Sequence, residues 1–196
     1  MRQRLLFAGV GGQGVLTGAQ ILAKAFLAKG EHVIMSEVHG MAQRGGSVIC
    51  TICVGDVTSP LIADGSADAI ISMEPAEALR SIQTLGPEGI VLTGINPVIP
   101  PNVSMGYHEY PPLEDIFGEL ERHGTLIKID ALSLAKKAGN VITKNIVLLG
   151  ALAATGIMAL TQKELLTAVR VNVPEKYLSM NERSFMAGFN AVDKQF

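Results

Sequence analysis

Near its start the chain runs from an apolar stretch, Leu5-Leu6-Phe7-Ala8, through glycines spaced Gly9-x-Gly11-x-x-Gly14 into a helical apolar pattern that opens at Val15. A short apolar run closed by glycine reads as a buried strand, and a turn this tight needs positions without Cβ. The helix that follows leaves its first backbone N–H groups unpaired, aimed out of the turn, where its dipole favours negative charge. Few folds accommodate such a unit, and most place an anion there. Gly9, Gly11, Gly12 and Gly14 are therefore candidates to cradle a phosphate, with the Gln13 amide beside them. A second reading uses the glycines only to let helix and strand pack closely, and Gln13 only to cap the loop.

The spacing matches the dinucleotide-binding fingerprint, which also requires an acidic residue about twenty positions on, at the end of the second strand, to hold a ribose. The second strand reads His32-Val33-Ile34-Met35, and Glu37 stands just beyond it. Glu37 opens a polar, glycine-punctuated stretch, Ser36-Glu37-Val38-His39-Gly40-Met41-Ala42-Gln43-Arg44-Gly45-Gly46-Ser47, read as a loop and richer than a ribose site needs. An independent NAD(P)-binding dehydrogenase stays open on the glycine pattern alone.

Downstream, 15–27 places Leu16, Ala19, Leu22, Ala23, Phe26 and Leu27 on one apolar face, and Lys29-Gly30 ends that helix. A third strand over 47–54 follows without an intervening helix, so it is expected antiparallel at an edge or reached by an irregular path. Strands at 67–73, 89–92 and 126–129 alternate with helices at 75–82, 113–121 and 131–138, the last capped by Asp130. A proline-rich connection, 96–112, holds a short strand at 103–107. The remainder is helical: 145–160, a helix opened by the capping box Thr161-Gln162-Lys163-Glu164, and an amphipathic helix over 175–192. This order specifies α/β architecture, a Rossmann-like three-layer sandwich with a mostly parallel sheet and a helical C-terminal layer, as a single domain spanning 1–196.

Only 17% of residues are charged, against roughly 25% in typical soluble domains, and mean hydropathy is +0.33. Part of the surface is thus expected to lie under another chain, with a homodimer open to the isolated subunit. A net charge of -2 offers nothing to nucleic acid or an anionic membrane. The start of the chain leaves no room for a signal peptide, which points to the cytoplasm, and the apolar stretch 146–160 falls short of the roughly 20 residues a bilayer requires. The two cysteines, Cys50 and Cys53, stand three apart on a strand. They therefore face opposite sides and read as core thiols, not as a chelate or redox pair.

Taken together, the glycine turn and the stretch 36–47 resemble the small, or gamma, subunit of the 2-oxoacid:ferredoxin oxidoreductases, and most closely its indolepyruvate form, called beta. The resemblance extends over the whole chain. It implies a subunit of an enzyme that decarboxylates a 2-oxoacid on thiamine diphosphate, passes electrons through iron–sulfur clusters to ferredoxin, and releases an acyl-coenzyme A. Thiamine diphosphate, its magnesium and the [4Fe–4S] clusters would belong to thiamine-binding and iron–sulfur partner subunits, and coenzyme A would be a co-substrate. This sequence agrees, since it has no Gly-Asp-Gly diphosphate motif with an asparagine run, and two cysteines cannot ligate a four-iron cluster. The isolated chain is expected to be inactive, with no metal and no catalytic residue of its own. An arylpyruvate ranks first as substrate, and 2-oxoglutarate or a branched-chain 2-oxoacid second.

Under this resemblance Glu37, His39, Met41, Gln43, Arg44 and Gly45 form a substrate or interface loop. Thiamine enzymes run their proton chemistry through the cofactor and a carboxylate, so His39 reads as an interface hydrogen bond. Arg44 presents a planar fork suited to carboxylate or phosphate; its alternative is a salt bridge shaping the loop, to Glu37 for instance. Met41 fits an apolar pocket on a partner.

Overall fold

Both faces of the first strand are apolar, Leu5 and Phe7 on one and Leu6 and Ala8 on the other, and only an interior strand can bury both. The computed structural model, which describes residues 2–40 and 45–192, places β1 (Arg2–Val10) inside a six-stranded sheet. The order is β2-β3-β1-β4-β5-β6, with β2 at Val33–His39, β3 at Ser47–Gly55, β4 at Ala67–Ser72, β5 at Leu85–Gly94 and β6 at Thr125–Ile129. β3 alone runs against the others: it pairs antiparallel with both β1 and β2, while β4, β5 and β6 continue parallel to β1.

Helix α1 (Val15–Ala28) buries Val15, Ala19, Leu22 and Phe26 on the face carrying Phe7, Cys50 and Ile52. The C-terminal helices α5 (Ala131–Ala138), α6 (Lys144–Ala154), α7 (Gln162–Asn172) and α8 (Leu178–Val192) complete that layer. The opposite face, carrying Leu6, Ile70 and Val91, is covered by α2 (Pro75–Arg80) and α4 (Leu113–His123) through Ala78, Ile116 and Leu120. Caps behave as composition dictates: Asp130 accepts from the Ser133 amide at 3.1 Å, and Thr161 with Glu164 forms the reciprocal capping box.

Two glycines bring α6 and α8 into backbone contact. A Cβ on Gly150 would lie 1.9 Å from the Phe185 carbonyl oxygen, and one on Gly188 would lie 1.9 Å from that of Val147. Far from this crossing, the buried Gln3 side chain donates to the Ile157 carbonyl at 2.8 Å and accepts from the Ala159 amide at 3.0 Å, tying the first strand to the segment after α6.

Several elements differ from the sequence expectation. β3 is antiparallel as expected, but it lies between β1 and β2, and β2 holds the edge. β2 continues through Ser36, Glu37, Val38 and His39, because alternating contacts with β3 outweigh the polar composition of that stretch. The expected strand at 103–107 is absent; Pro101 instead starts the one-turn helix α3 (Pro101–Ser104), proline being suited to a first helical position. α6 stops at Ala154, just ahead of Gly156 in a left-handed conformation at φ 67°. Leu27 falls off the buried face of α1 and is 55% exposed. Cys50 and Cys53 are buried free thiols, Cys50 in the core under α1 and Cys53 donating to the Pro60 carbonyl at 3.6 Å, and burial followed by the Glu37 charge pushes the Cys50 thiol up to about 11. No helix among the described residues is long and apolar enough to cross a membrane.

Candidate functional site

The glycine turn forms where β1 hands over to α1. Gly12 (φ 99°) and Gly14 (φ 81°) take left-handed conformations, and a Cβ on Gly14 would stand 2.7 Å from Asn145 Nδ2. Gly9 is hemmed in by Val15 and Met73, so its missing Cβ serves helix–strand packing. Gly11 turns the other way: its N–H donates to the Gly46 carbonyl at 2.8 Å and fastens the far end of the β2–β3 connection to the turn. Gln13 caps the loop, accepting from the Val10 amide at 2.7 Å and donating to the Met73 carbonyl at 3.3 Å. The first intrahelical bond of α1 runs from Gly18 to Gly14, and no side chain caps the helix.

A second helix opens at the same place. Asn145, in the first turn of α6, donates to the Gly14 carbonyl at 3.2 Å, and Thr143 at the head of α6 makes no side-chain cap. Between the two helix starts lies a cleft of about 440 Å³ lined by Gly12, Gly14 and Thr17 from one side and Lys144 and Asn145 from the other, the α6 amides of Lys144 and Ile146 being already paired with the Val141 carbonyl and the Asn145 side-chain oxygen. Among the described residues no carboxylate lines it. Lys144 is the first residue of α6, where the helix dipole disfavours a cation by roughly 0.3–1 kcal/mol. The Lys144 ammonium and the uncapped start of α1 give the cleft a positive bias in a chain of net negative charge. Its wall also includes exposed apolar side chains, Val141 at 41%, Ile142 at 72% and Tyr177 at 44%.

The sequence reading missed this second half. Lys144 and Asn145 lie some 130 residues from the turn they join, and the available signal was a helix start with a lysine and no acidic residue.

A separate crevice of about 720 Å³ opens at the carboxyl ends of β1 and β4. There Glu74 is 1% exposed; it caps α2 through the Glu77 amide at 3.0 Å and accepts from the Tyr110 hydroxyl and, at 3.3 Å, the Val98 amide. Burial, reinforced by that carboxylate, pushes the Tyr110 phenol well above its ordinary value. Glu77 accepts from the Ser47 hydroxyl and lies 3.6 Å from Arg80. Both buried carboxylates are thus satisfied, and they pin the 95–112 connection and the start of β3.

Of the proposed loop, Glu37 and His39 lie on β2 and face each other at 3.5 Å. Gly45 donates to the Gly11 carbonyl at 3.5 Å; Met41, Gln43 and Arg44 lie outside the described residues. Since β3 separates β2 from β1, Glu37 stands two strand spacings from β1, about 10 Å, and level with Phe7, not with the turn. A ribose held in the dinucleotide manner needs that acid on the neighbouring strand. The dehydrogenase reading loses its second residue.

Comparison with known proteins agrees with this architecture. Residues 4–191 match the family model described as pyruvate ferredoxin/flavodoxin oxidoreductase. A curated relative from Pyrococcus horikoshii, indolepyruvate oxidoreductase subunit IorB, is 44% identical over 191 residues, covering 96% of this chain and 95% of its own. Among solved structures, the gamma subunit of a keto/oxoacid ferredoxin oxidoreductase from Geobacter sulfurreducens superimposes with a TM-score of 0.72 at 23% identity, over 98% of this chain and 99% of the other. A chain of 2-oxoglutarate:ferredoxin oxidoreductase from Magnetococcus marinus, with 2-oxoglutarate, coenzyme A and succinyl-CoA bound, matches at TM-score 0.74 and 16% identity, over 98% of this chain and 31% of its own length. The sheet, the glycine turn and these likenesses together identify the chain as a member of the pyruvate ferredoxin/flavodoxin oxidoreductase family, similar along its length to the small subunits of 2-oxoacid:ferredoxin oxidoreductases.

Proposed function

We propose that this chain completes the active site of a thiamine diphosphate-dependent 2-oxoacid:ferredoxin oxidoreductase acting on an arylpyruvate, indolepyruvate first, by holding a phosphate group in the cleft between α1 and α6. The phosphate is that of coenzyme A or of thiamine diphosphate presented across a subunit interface. The 44% identity to an indolepyruvate oxidoreductase subunit supports the substrate class. The thiamine diphosphate of a partner subunit supplies the decarboxylation, and that subunit's neighbours carry electrons to ferredoxin; this chain binds and orients.

One observation carries the reading: Lys144 sits where it costs helix stability, at a cleft in which, among the described residues, no carboxylate answers it. The exposed Val141, Ile142 and Tyr177 beside it suit a partner chain closing over the ligand. Arg44, on the connection fastened to the turn through Gly11 and Gly46, is proposed as a second group answering that phosphate.

Lys144→Ala tests it. A charged hydrogen bond is worth roughly 1.5–3 kcal/mol, so the assembled enzyme should show at least a tenfold rise in the Michaelis constant for coenzyme A, or a matching loss of thiamine diphosphate retention, and whichever constant moves names the phosphate. Melting of the isolated chain should stay level or rise slightly, because the dipole penalty is relieved. Unchanged ligand constants for both Lys144→Ala and Arg44→Ala in a fully assembled enzyme refute the proposal.

A further inference from the structure

The free edge of β2 has an unusual character. Proteins blunt exposed edges with charged side chains, proline, bulges or very short strands; among the described residues nothing pairs with the outer side of Val33–His39, which is seven residues long, carries neither lysine nor proline, holds an unbroken register with β3, and has one carboxylate, Glu37, already answered by His39 at 3.5 Å. Val38 on it is 63% exposed.

Its free hydrogen-bonding groups can be assigned. Gly40 donates to the Ser47 carbonyl and Gly55 to that of His32, both at 2.8 Å, so the even-numbered residues of β2 direct their N–H and C=O toward β3. Val33, Met35, Glu37 and His39 therefore direct theirs outward. We propose that this edge pairs with β2 of a second copy of the chain, antiparallel about a two-fold axis through Ser36, joining the two sheets into one.

Symmetric registers can centre on any residue from 34 to 38; centring on Ile34 leaves hydrogen-bonded pairs only between Val33 and Met35, and centring on Met35 leaves His39 unpaired within the strand. Centring on Glu37 sets two carboxylates directly opposite each other, which is unfavourable. Centring on Val38 leaves hydrogen-bonded pairs only between Glu37 and His39. Centring on Ser36 uses the whole strand: Val33 pairs with His39 and Met35 with Glu37, each twice, and each pair exchanges two backbone bonds. On the other face Ile34 then packs against Val38 of the second copy and Ser36 meets Ser36. That face is also the one where Thr51, opposite Ser36 on β3, keeps a buried hydroxyl without a partner.

The register gives its own test on the full-length chain. Ser36 would form a non-hydrogen-bonded pair with its mate, with Cα atoms about 4.5 Å apart, within the span a disulfide bridges. Val38 would lie four residues from its mate along the strand, about 13 Å. Sedimentation of the wild-type chain at micromolar concentration should show a dimer. Mild oxidation should convert Ser36→Cys, but not Val38→Cys, into a covalent dimer, with the buried Cys50 and Cys53 taking no part. A monomeric wild type, equal cross-linking of both variants, or cross-linking of Ser36→Cys to a different subunit in the assembled enzyme each overturns the proposal.

Discussion

Gly150→Ala puts the α6–α8 crossing to a direct test. The added Cβ would stand 1.9 Å from the Phe185 carbonyl oxygen, whereas real Cβ contacts essentially never fall below 3.0 Å. The helices must therefore part by about 1.1 Å, the difference between the two, and neither atom can rotate away because both are fixed by backbone. Overpacking costs about 1–3 kcal/mol, more when backbone must move, so about 3 kcal/mol applies here, offset by about 1 kcal/mol of helix propensity gained. A net loss of about 2 kcal/mol lowers the melting temperature by roughly 4–8 °C in a chain of this size. Gly118→Ala is the internal control, a glycine within α4 with nothing within 4 Å of its would-be Cβ; it should raise the melting temperature by roughly 2–4 °C. Gly188→Ala meets the Val147 carbonyl at the same crossing, so the double variant should lose less than the sum of the singles, the helices having already parted. Calorimetry of the wild type and the four variants decides it. If Gly150→Ala melts as high as Gly118→Ala, backbone proximity at this crossing has been misjudged.

Two further outcomes concern buried titratable groups. The Cys50 thiol is raised from 9.0 to about 11 in the folded chain, so folding favours its neutral form; that contribution is complete below pH 9 and is lost as pH rises toward 11. Denaturant midpoints should fall across this window, and Cys50→Ala should flatten part of the fall, Cys53 and Tyr110 shifting in the same direction to supply the rest. Tyr110→Phe removes the hydroxyl that donates to the buried Glu74 and should destabilise by about 1–3 kcal/mol. Faster proteolysis within 95–112 would show the connection loosened, and an unchanged cleavage rate would show that other contacts hold it.

Local pattern in the sequence located most elements because the residues that form them are neighbours. The apolar face of α1, the Asp130 cap and the Thr161 capping box each depend on residues three or four apart. Strand order depends on partners far away, and nothing local in Ser47–Gly55 says that it enters between β1 and β2. Ser36–His39 misled for a related reason: a polar composition reads as loop, while pairing with β3 extends the strand through it. At the site, the turn was legible from its glycines. The roles within it were not, because Gly11 is answered by Gly46 and Gly14 by Asn145, contacts that only the finished fold creates.

The Gln3 side chain closes a span of more than 150 residues, bonding to Ile157 and Ala159 from the third position of the chain. On both sides β1 is likewise paired with strands made much later, β3 and β4. During synthesis β1, apolar on both faces, must therefore wait for β3 and β4 before its edges are paired, and for residues 157–159 before Gln3 is satisfied. A fragment ending before 157 has no means of closing the sheet's N-terminal end onto the later segment.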